Sequence, residues 1–540
     1  MTSSNEEENM KDSPRSPPKT MAGTRSFSVK LWPPSEHSRQ MLMLRITDNL
    51  TEKSFITQTY GSLDKEEAEA MAKQIEEQSY ASANQHYEEH PDGDGGSAVQ
   101  LYAKECSKMI LQTLKNGSPK TKETTIPIEV TEDKETTLDL SNGPRSFIGA
   151  KEAEELLSPL KNPGNSYSKI CFSNRSFGIE AALASAPILK TIKNQLKEVD
   201  LSDFIAGRPE SEALQVITVF SEALHGSNLQ SLTLSNNALG EKGVRAFGGL
   251  LKTQSNLEKL FLINNGISSE AAQAVLELLP STKSLTTIHF HNNMTGDEGA
   301  LSIARVVEAS PCLEDFRCSS TRIGASGGVA VAGAIGSCSE LRKVDLRDNM
   351  FGAEGAVALG RSLGGLMNLV EIYLSYLNLE DGGATEIVRA LKGSSPGLQV
   401  LEMAGNEVTA VAAPAIAGLA AAKRSLLRLN LSENELKDKG AMCLSEGVGH
   451  LKELDLGTNE IGREGALVLA RAVLSNADFL LLNINGNFIS EEGVEELKDV
   501  FSDCGEKLGP LDENDPDGAQ TDEGEVGIES ELKGLEIKEE

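Results

Sequence analysis

The stretch LTLSNN at residues 232–237 is one copy of a phrase that returns through most of the chain. Each copy reads apolar, any residue, apolar, any two residues and a closing Asn, and most copies follow one another at 28 residues, as from Asn237 to Asn265. A fixed period of this length is the signature of a repeat protein. The other clear copies are LFLINN (260–265), IHFHNN (288–293), VDLRDN (344–349), LEMAGN (401–406), LNLSEN (429–434), LDLGTN (454–459) and LNINGN (482–487), and the weaker ones are ICFSNR (170–175), VDLSDF (199–204), FRCSST (316–321) and IYLSYL (372–377).

The phrase predicts a short strand that is buried on one side. Side chains of an extended segment alternate between two faces, so Leu232 and Leu234 are expected to point inward. The closing Asn237 can also turn inward, where its amide can pair with backbone groups. Between the strands, apolar residues recur every three or four positions, as in FGAEGAVALGRSLGGL (351–366), which is the spacing of a helix.

One repeat cannot bury its own apolar edge, but a stack of repeats can. A strand, a full helix and two loops fit the observed period, which is typical of the long type of leucine-rich repeat. The predicted fold is therefore an α/β solenoid of about 11–12 repeats, a horseshoe like that of ribonuclease inhibitor, with a parallel sheet inside and helices outside.

The rest of the chain is predicted to divide around this array. Three helical patterns precede it, and polar, Pro-rich or acidic stretches separate and flank the folded parts. The predicted segments are a disordered N-terminus (1–26), a small all-α domain (27–115), a linker (116–165) with a short capping helix (148–160), the repeat domain (166–505) and a disordered acidic tail (506–540).

Charge restricts the classes of partner. The chain has 51 Lys and Arg against 81 Asp and Glu, a formal net charge of −30. This argues against nucleic acid or an anionic membrane as the main partner and favours a basic protein, although it also suits simple solubility. Seven cysteines without a CxxC motif predict reduced thiols in an intracellular protein. No apolar run is long enough to span a bilayer, so direct membrane insertion is not expected.

The sequence carries few signs of enzyme chemistry. It has neither a phosphate loop of the GxxxxGK type nor a GxSxG elbow, and no metal-ligand cluster is evident. His289 and His291 are two residues apart, so both are predicted on the concave face of one strand. Solvated surface histidines are the favoured interpretation, and a metal site is the alternative.

The residue before each closing Asn is predicted at the point where the strand ends and the loop begins. In three successive copies it is Asn236, Asn264 and Asn292, and two copies later it is Asp348. Asn at this position suits a turn, because Asn tolerates left-handed backbone.

One repeat is longer than the others, with its extra residues in DFIAGRPESEAL (203–214). An insertion into a fixed period maps to a loop on one rim, often the binding rim. It is predicted to present Arg208 between Gly207 and Pro209, either solvated or as a contact for phosphate or carboxylate.

Trp32, Pro33 and Pro34 begin the predicted helical domain, and Trp32 is the single tryptophan of the chain. The residue types alone slightly favour a hydrophobic plug at the edge of the domain. The alternative is an exposed docking element for another helix.

The segments FIAGRPESEAL, LTLSNNALGEKGV, LFLINNGISSEAA and KVDLRDNMFGAEG, with the acidic tail, resemble the GTPase-activating proteins for the small GTPase Ran. The LWPP segment and its helices resemble the WPP domain of the plant members. The resemblance implies a regulator that binds GTP-loaded Ran and accelerates its GTP hydrolysis, with no catalytic activity of its own. GTP and Mg²⁺ would be bound by Ran, so no cofactor is implied. The alternative is a non-catalytic leucine-rich-repeat scaffold, since this fold is commonly a binder.

The resemblance also assigns roles to residues. Asn264 matches the asparagine that positions Ran's own catalytic glutamine, which orients the attacking water; this family is not thought to insert an arginine finger. Arg208, Asp348, Asn236 and Asn292 are implied Ran contacts, although Pro209-Glu210 departs from some relatives.

The N-terminal segment Trp32-Pro33-Pro34 would, by the same resemblance, bind coiled-coil anchor proteins of the nuclear envelope. The implied locations are the cytoplasm, the cytoplasmic face of the envelope and, in dividing cells, the mitotic spindle and cell plate. A monomer is expected.

Overall fold

A computed structural model of the chain describes residues 32–34, 36–51, 63–89, 96–116, 137–141 and 145–515. The chain divides into two compact units, Met1–Glu129 and Val130–Glu540. The predicted disorder of residues 1–26 and of residues 516–540 lies outside the described residues.

The first unit is helical, as predicted. It contains α1 (Glu36–Thr51), α2 (Lys65–Glu89) and α3 (Gly96–Asn116), which pack on one another around a small apolar core. None of the described helices of the chain is long and apolar enough to cross a membrane.

Trp32 lies at the centre of that core and is fully buried. Its ring stacks on Tyr80 at 5.3 Å between centroids and meets Tyr102 edge-on at 5.5 Å. Its Nε1 donates to Asn84 Oδ1 at 3.3 Å, so the polar atom of the indole is also satisfied. The plug interpretation is therefore right and the exposed docking tryptophan is wrong, whereas the adjacent Pro33 is exposed.

A buried carboxylate braces the same core. Arg39 donates from Nε to Glu76 Oε1 at 2.6 Å and from Nη2 to Oε2 at 2.9 Å, and the Tyr102 hydroxyl donates to the same carboxylate. Burial and the neighbouring Glu76 raise the pKa of Tyr102. Because Glu76 is almost fully buried, removing Arg39 would leave an uncompensated charge in the domain.

The second unit is the predicted leucine-rich-repeat solenoid. Within the described residues its main sheet has thirteen strands, ordered β1-β3-β5 and then β6 to β15 in sequence, while β2 pairs with β4 in a separate small sheet. The strands are β1 (Thr137–Asp139), β2 (Ser146–Ile148), β3 (Lys169–Cys171), β4 (Arg175–Phe177), β5 (Glu198–Asp200), β6 (Ser231–Thr233), β7 (Lys259–Phe261), β8 (Thr287–His289), β9 (Asp315–Arg317), β10 (Lys343–Asp345), β11 (Glu371–Tyr373), β12 (Val400–Glu402), β13 (Arg428–Asn430), β14 (Glu453–Asp455) and β15 (Leu481–Asn483).

Helices alternate with these strands and pack against their neighbours in the next repeat. Their buried faces carry small and aliphatic residues at helical spacing, such as Ala356, Leu359 and Leu363. The helices are α4 (Ala150–Leu156), α5 (Ile179–Ile192), α6 (Glu210–Ala223), α7 (Gly240–Ala246), α8 (Gly248–Leu251), α9 (Ser269–Leu278), α10 (Gly296–Glu308), α11 (Ala325–Ile335), α12 (Gly352–Leu363), α13 (Glu380–Gly393), α14 (Ala413–Ala422), α15 (Lys437–Ser445), α16 (Arg463–Leu474) and α17 (Glu491–Val500).

All strand pairs are parallel and pair equivalent positions of successive repeats, so Leu232 faces Leu260 and Leu260 faces Ile288. Leu232 and Leu234 are buried, as the alternation predicts. This register also stacks every loop on the equivalent loop of the next repeat, which places equivalent residues in rows along the rim.

The closing asparagines form one such row inside the molecule. Asn237 Nδ2 donates to the carbonyls of Leu201 at 2.7 Å and Leu234 at 2.9 Å, and its Oδ1 accepts from Phe204 N at 3.1 Å. As predicted, the amide pairs with backbone groups at the end of the strand, where the chain turns away and these groups have no partner in the sheet. We call the row the buried asparagine ladder; it consists of Asn237, Asn265, Asn293, Asn349, Asn406, Asn434, Asn459 and Asn487.

Both ends of the solenoid extend beyond the predicted limits. β1, β2, α4 and a 3₁₀ turn (Ser158–Lys161) lie in the predicted linker, and β1 pairs with β3 as the first strand of the main sheet. These strands have three residues each, too short for a periodic signal. The predicted capping helix is present as α4, and the segment covers the apolar end of the array, which would otherwise face water.

The opposite end is covered by residues that were predicted to belong to the acidic tail. Leu508 is buried and forms a bridge to Leu482 of the last strand, and Gly509 N donates to the Leu482 carbonyl at 2.8 Å. Asn514 Oδ1 accepts from Asn487 N at 2.9 Å, which continues the buried asparagine ladder by one step.

Candidate functional site

Asn236, Asn264 and Asn292 lie where three neighbouring strands end, and all three are exposed. Their φ angles are 61°, 52° and 57°, so each has the left-handed backbone expected of a turn asparagine. The equivalent residue of every later repeat has the same backbone: Ser320, Asp348, Tyr376, Gly405, Glu433, Thr458 and Gly486. The left-handed turn is thus a property of the repeat, while the run of three asparagines is particular to this part of the rim.

The three amides are joined in a chain of hydrogen bonds. Asn264 Nδ2 donates to Asn236 Oδ1 at 3.0 Å, and Asn292 Nδ2 donates to Asn264 Oδ1 at 3.1 Å. Asn264 is therefore held from both sides, and its amide plane is set before any partner arrives. One N–H and one lone pair of this amide remain free for a ligand within the described part of the chain. We call these three residues the exposed asparagine row.

A groove of about 510 Å³ runs along this rim and brings together three of the residues predicted for the site, Asn264, Asn292 and Asp348. Asn236 adjoins it through its bond to Asn264 but does not line it. Both polar and apolar side chains line this rim groove: Asn264, Gly266, Asn292, Asn293, Met294, Ser320, Arg322, Asp348, Asn349 and Met350.

The groove also contains a cation that sequence reasoning missed. Arg322 is exposed and lies one position after the closing residue of its repeat, Thr321. Its φ of 61° is left-handed, which is an uncommon conformation for an arginine. The signal in the sequence is an arginine where the two adjacent copies carry Met294 and Met350, but it is visible only once the repeats are aligned on their strands.

Arg208 is placed differently from the prediction. Its side chain is only 16% exposed, and its Nη2 donates to the Ser176 carbonyl at 2.7 Å while its Nε donates to Ser176 Oγ at 3.1 Å. The guanidinium also lies 4.9 Å from the centre of the Phe147 ring. The expectation of an exposed arginine is wrong, because the insertion folds back onto β2 and β4 and uses Arg208 to hold them. It does not line the rim groove.

His289 and His291 are also less exposed than predicted. His289 is buried, with Nε2 3.2 Å from Asp315 Oδ1, and Arg317 Nε donates to the same oxygen at 3.0 Å. Burial would raise the pKa of Asp315, but His289 and Arg317 outweigh it and hold the pKa at about 2. Burial and the adjacent His289 lower the pKa of His291. Nowhere in the described ranges do three or more His, Cys, Asp or Glu side chains group as metal ligands would, so the metal alternative gains no support.

Comparison with known proteins assigns the chain to a family. A WPP domain model matches residues 28–124, and a leucine-rich-repeat model matches residues 225–248, 337–360, 422–445 and 450–470. RAN GTPase-activating protein 2 of Arabidopsis thaliana is 64% identical over 536 residues, which cover 95% of this chain and 98% of that protein. The chain belongs to the RAN GTPase-activating proteins.

A second member of this family, RAN GTPase-activating protein 1 of Arabidopsis thaliana, is 57% identical over 498 residues, 92% of each chain. The N-terminal part of this RAN GTPase-activating protein is also similar to MFP1 attachment factor 1 of Solanum lycopersicum. That match is 35% identical over 95 residues and covers 18% of this chain and 60% of the attachment factor.

Proposed function

We propose that this chain stimulates GTP hydrolysis by Ran, which docks over the rim groove. Support comes from two near-full-length relatives named RAN GTPase-activating proteins. In this proposal Ran holds the GTP and Mg²⁺, and the chain is a regulator that completes Ran's active site. A binding-only scaffold is less favoured, because neither of these relatives is named for binding alone.

The observation that carries the mechanism is the pre-set amide of Asn264. A carboxamide has one donor side and one acceptor side, so the free N–H and lone pair of Asn264 match the oxygen and nitrogen of a glutamine side chain. Pairing would hold Ran's catalytic glutamine in the orientation in which it aligns the attacking water with the γ-phosphate. Positioning of this kind lowers the barrier because the glutamine's rotamer freedom is lost before the reaction begins.

The test is single-turnover hydrolysis by GTP-loaded Ran with the wild-type chain and Asn264→Ala. We expect stimulated hydrolysis to fall by about a hundredfold or more, the usual loss when one pre-organised polar contact to a transition state is removed. The matched control is Asn378→Ala, because Asn378 is also exposed, also has a left-handed backbone (φ 59°) and does not line the groove. Equal activity of Asn264→Ala and the control would remove Asn264 from the mechanism.

We further propose that the N-terminal unit directs the chain to the cytoplasmic face of the nuclear envelope through coiled-coil anchor proteins. Support comes from the match to the WPP domain model and the similarity to an attachment factor. Since Trp32 is buried, its contribution to docking would be indirect, through the fold, and Pro33 is the better candidate for direct contact.

Imaging of fluorescently tagged chains distinguishes the direct contact of Pro33 from the indirect contribution of Trp32 through the fold. Pro33→Ala should release the protein from the envelope with the domain still folded, whereas Trp32→Phe keeps ring packing on Tyr80 and should stay bound. Trp32→Ala removes the centre of the core, at a cost of about 3–5 kcal/mol in unfolding free energy, and should abolish both folding and targeting. Full envelope localisation of Pro33→Ala would reject the direct contact.

A further inference from the structure

The rim groove contains two opposite charges that the chain itself leaves unpaired. Neither the Arg322 guanidinium nor the Asp348 carboxylate has a hydrogen-bonding or ionic partner among the described residues, although both line the same groove. Two arginines of the concave face differ: Arg317, in the same repeat, is bonded to Asp315 at 3.0 Å, and Arg347, in the next repeat, is bonded to Asp345 at 2.8 Å. In a chain with a net charge of −30, this arginine of the groove, Arg322, places an exposed positive charge in the same groove as Asn264, where an anionic group of a partner could reach it.

The backbone at Arg322 has the left-handed conformation found in several repeats. Its φ of 61° lies in the range shared by equivalent positions of other repeats, which carry Gly or Asn in some copies and Ala or Glu in others: Ala238, Gly266, Asn378, Glu407 and Glu460. An arginine there costs on the order of 1 kcal/mol relative to glycine. Within the described ranges, no hydrogen bond or ion pair of the Arg322 side chain offsets this conformational cost. The left-handed backbone is thus a property of the repeat, and a binding role is indicated instead by the exposed side chain in the groove, which is unpaired within those ranges.

Two exposed methionines lie beside this cation in the groove. Met294 is 47% and Met350 62% exposed, which is high for apolar side chains of this size. Methionine adapts its shape to a partner, and an arginine between apolar contacts is a common centre of a protein interface. The complementary surface would present a carboxylate with apolar side chains around it.

We propose that Arg322 pairs with a carboxylate on the docked GTPase, with Met294 and Met350 closing over the pair, and that this contact sets the affinity of docking. The inference rests on the proposed function and names a contact for it. Arg322 follows β9 and Asn264 follows β7, so the two lie two strands apart, roughly 10 Å along the sheet at the usual strand spacing. This offset puts Arg322 at the flank of a partner whose reacting groups lie over Asn264.

The experiment measures initial rates of GTP hydrolysis against the concentration of GTP-loaded Ran, using the full chain. Arg322→Ala should raise KM by about tenfold or more and leave kcat within about twofold, because buried interface arginines carry large shares of binding energy. Arg322→Lys keeps the charge but loses the planar fork, so its KM should fall between the two. The control is Arg342→Ala, an exposed arginine immediately before β10 and so at the opposite end of a strand, which should leave KM unchanged.

A second arm identifies the carboxylate. Arg322→Glu should have a higher KM than Arg322→Ala. It is then assayed against a panel of Ran variants in which single acidic residues are changed to Lys, and one of these variants should return its KM towards the wild-type value. Restoration by one member and by no other supports the pairing. A panel in which no member restores binding overturns it.

The remaining outcomes are also decisive. An unchanged KM for Arg322→Ala rejects the contact. A fall in kcat at constant KM would mean that the arginine acts on the phosphate of the nucleotide, and the carboxylate proposal would be wrong. If the wild-type chain binds Ran without stimulating hydrolysis, the proposed function fails, and titration of the same variants against GTP-loaded Ran still decides the role of Arg322.

Discussion

Asn264 and Asn265 are neighbours in the chain and have the same side chain, but they belong to two different regions of the molecule. Asn265 lies in the buried asparagine ladder, where its Nδ2 donates to the Leu234 carbonyl at 3.0 Å. Asn264 lies in the exposed asparagine row, where its only bonds within the described residues are to the amides of Asn236 and Asn292 and to the His291 carbonyl through its backbone N–H.

The comparison shows that the same amide side chain has a structural role when it is buried and can have a binding role when it is exposed. In the ladder, amides satisfy backbone groups that water cannot reach, so their removal costs stability. In the exposed asparagine row, the amides bond to one another and face solvent, so little stability depends on them. Their remaining N–H donors and carbonyl lone pairs are available to a partner. The predictions below test this division, beginning with the largest effect.

The buried ladder should be structural even far from the groove. Asn406 is fully buried, donates from Nδ2 to the Leu374 carbonyl at 2.9 Å and accepts from Leu377 N at 2.9 Å. Asn406→Ala leaves these groups without partners, and we expect a loss of about 3 kcal/mol in unfolding free energy. Urea denaturation and hydrogen exchange of the surrounding repeats would measure it.

Asn378→Ala is the control for that experiment, since it removes the same amide from an exposed position in the adjacent repeat. It should change stability by less than about 1 kcal/mol. Equal losses for the two variants would contradict the division between buried and exposed asparagines.

The exposed row should act through orientation. Asn236 accepts the hydrogen bond of Asn264 and does not line the groove, so Asn236→Ala frees one side of the Asn264 amide. We expect kcat for stimulated hydrolysis to fall about two- to tenfold, the worth of one hydrogen bond of roughly 0.5–1.5 kcal/mol, with KM unchanged. The unfolding free energy should fall by about 1 kcal/mol or less, because alanine fits the left-handed backbone at this position less well than asparagine.

Two further variants separate positioning from a general surface effect. Asn236→Asp keeps the acceptor oxygen and should recover most of the lost rate. Adding Asn236→Ala to Asn264→Ala should cause no further loss, because the bond is already absent. A strictly additive double variant would show that Asn236 acts on its own.

The smallest effect is expected at Tyr376, the residue of a later repeat that is equivalent to Asn264. Tyr376 does not line the groove, and its hydroxyl donates to Glu433 Oε1 at 2.5 Å. That hydrogen bond, with some burial, raises the pKa of Tyr376 to about 12 from the ordinary 10.0. Tyr376→Phe should lower stability by less than about 0.5 kcal/mol at pH 7.

The sign of its pH dependence follows from the raised pKa. Protonated Tyr376 is favoured in the folded state, so its contribution is present below pH 10 and disappears as the pH rises to about 12. Denaturation of the wild-type chain and of Tyr376→Phe between pH 10 and about 12 should show that the difference in their unfolding free energies disappears. A difference that widens with pH would reject the assigned hydrogen bond.

The sequence by itself determined the repeat, the inward leucines, the pairing of the closing asparagines and the exposed position of Asn264. Each of these follows from spacing along one strand and loop, repeated until the local signal is unmistakable. The helical N-terminal unit was predictable for the same reason, since its apolar residues recur at helical spacing.

Only the tertiary structure decided which isolated residues are buried and which meet in one groove. Arg208 is turned inward by Ser176, 32 residues away, and Trp32 is covered by Tyr80 and Tyr102, contacts that no local pattern encodes. Arg322 joins Asn264 because successive strands stack in register, so residues from separate repeats share one rim. Periodicity fixes the neighbours along the chain, whereas packing between distant segments fixes the surroundings of a single residue.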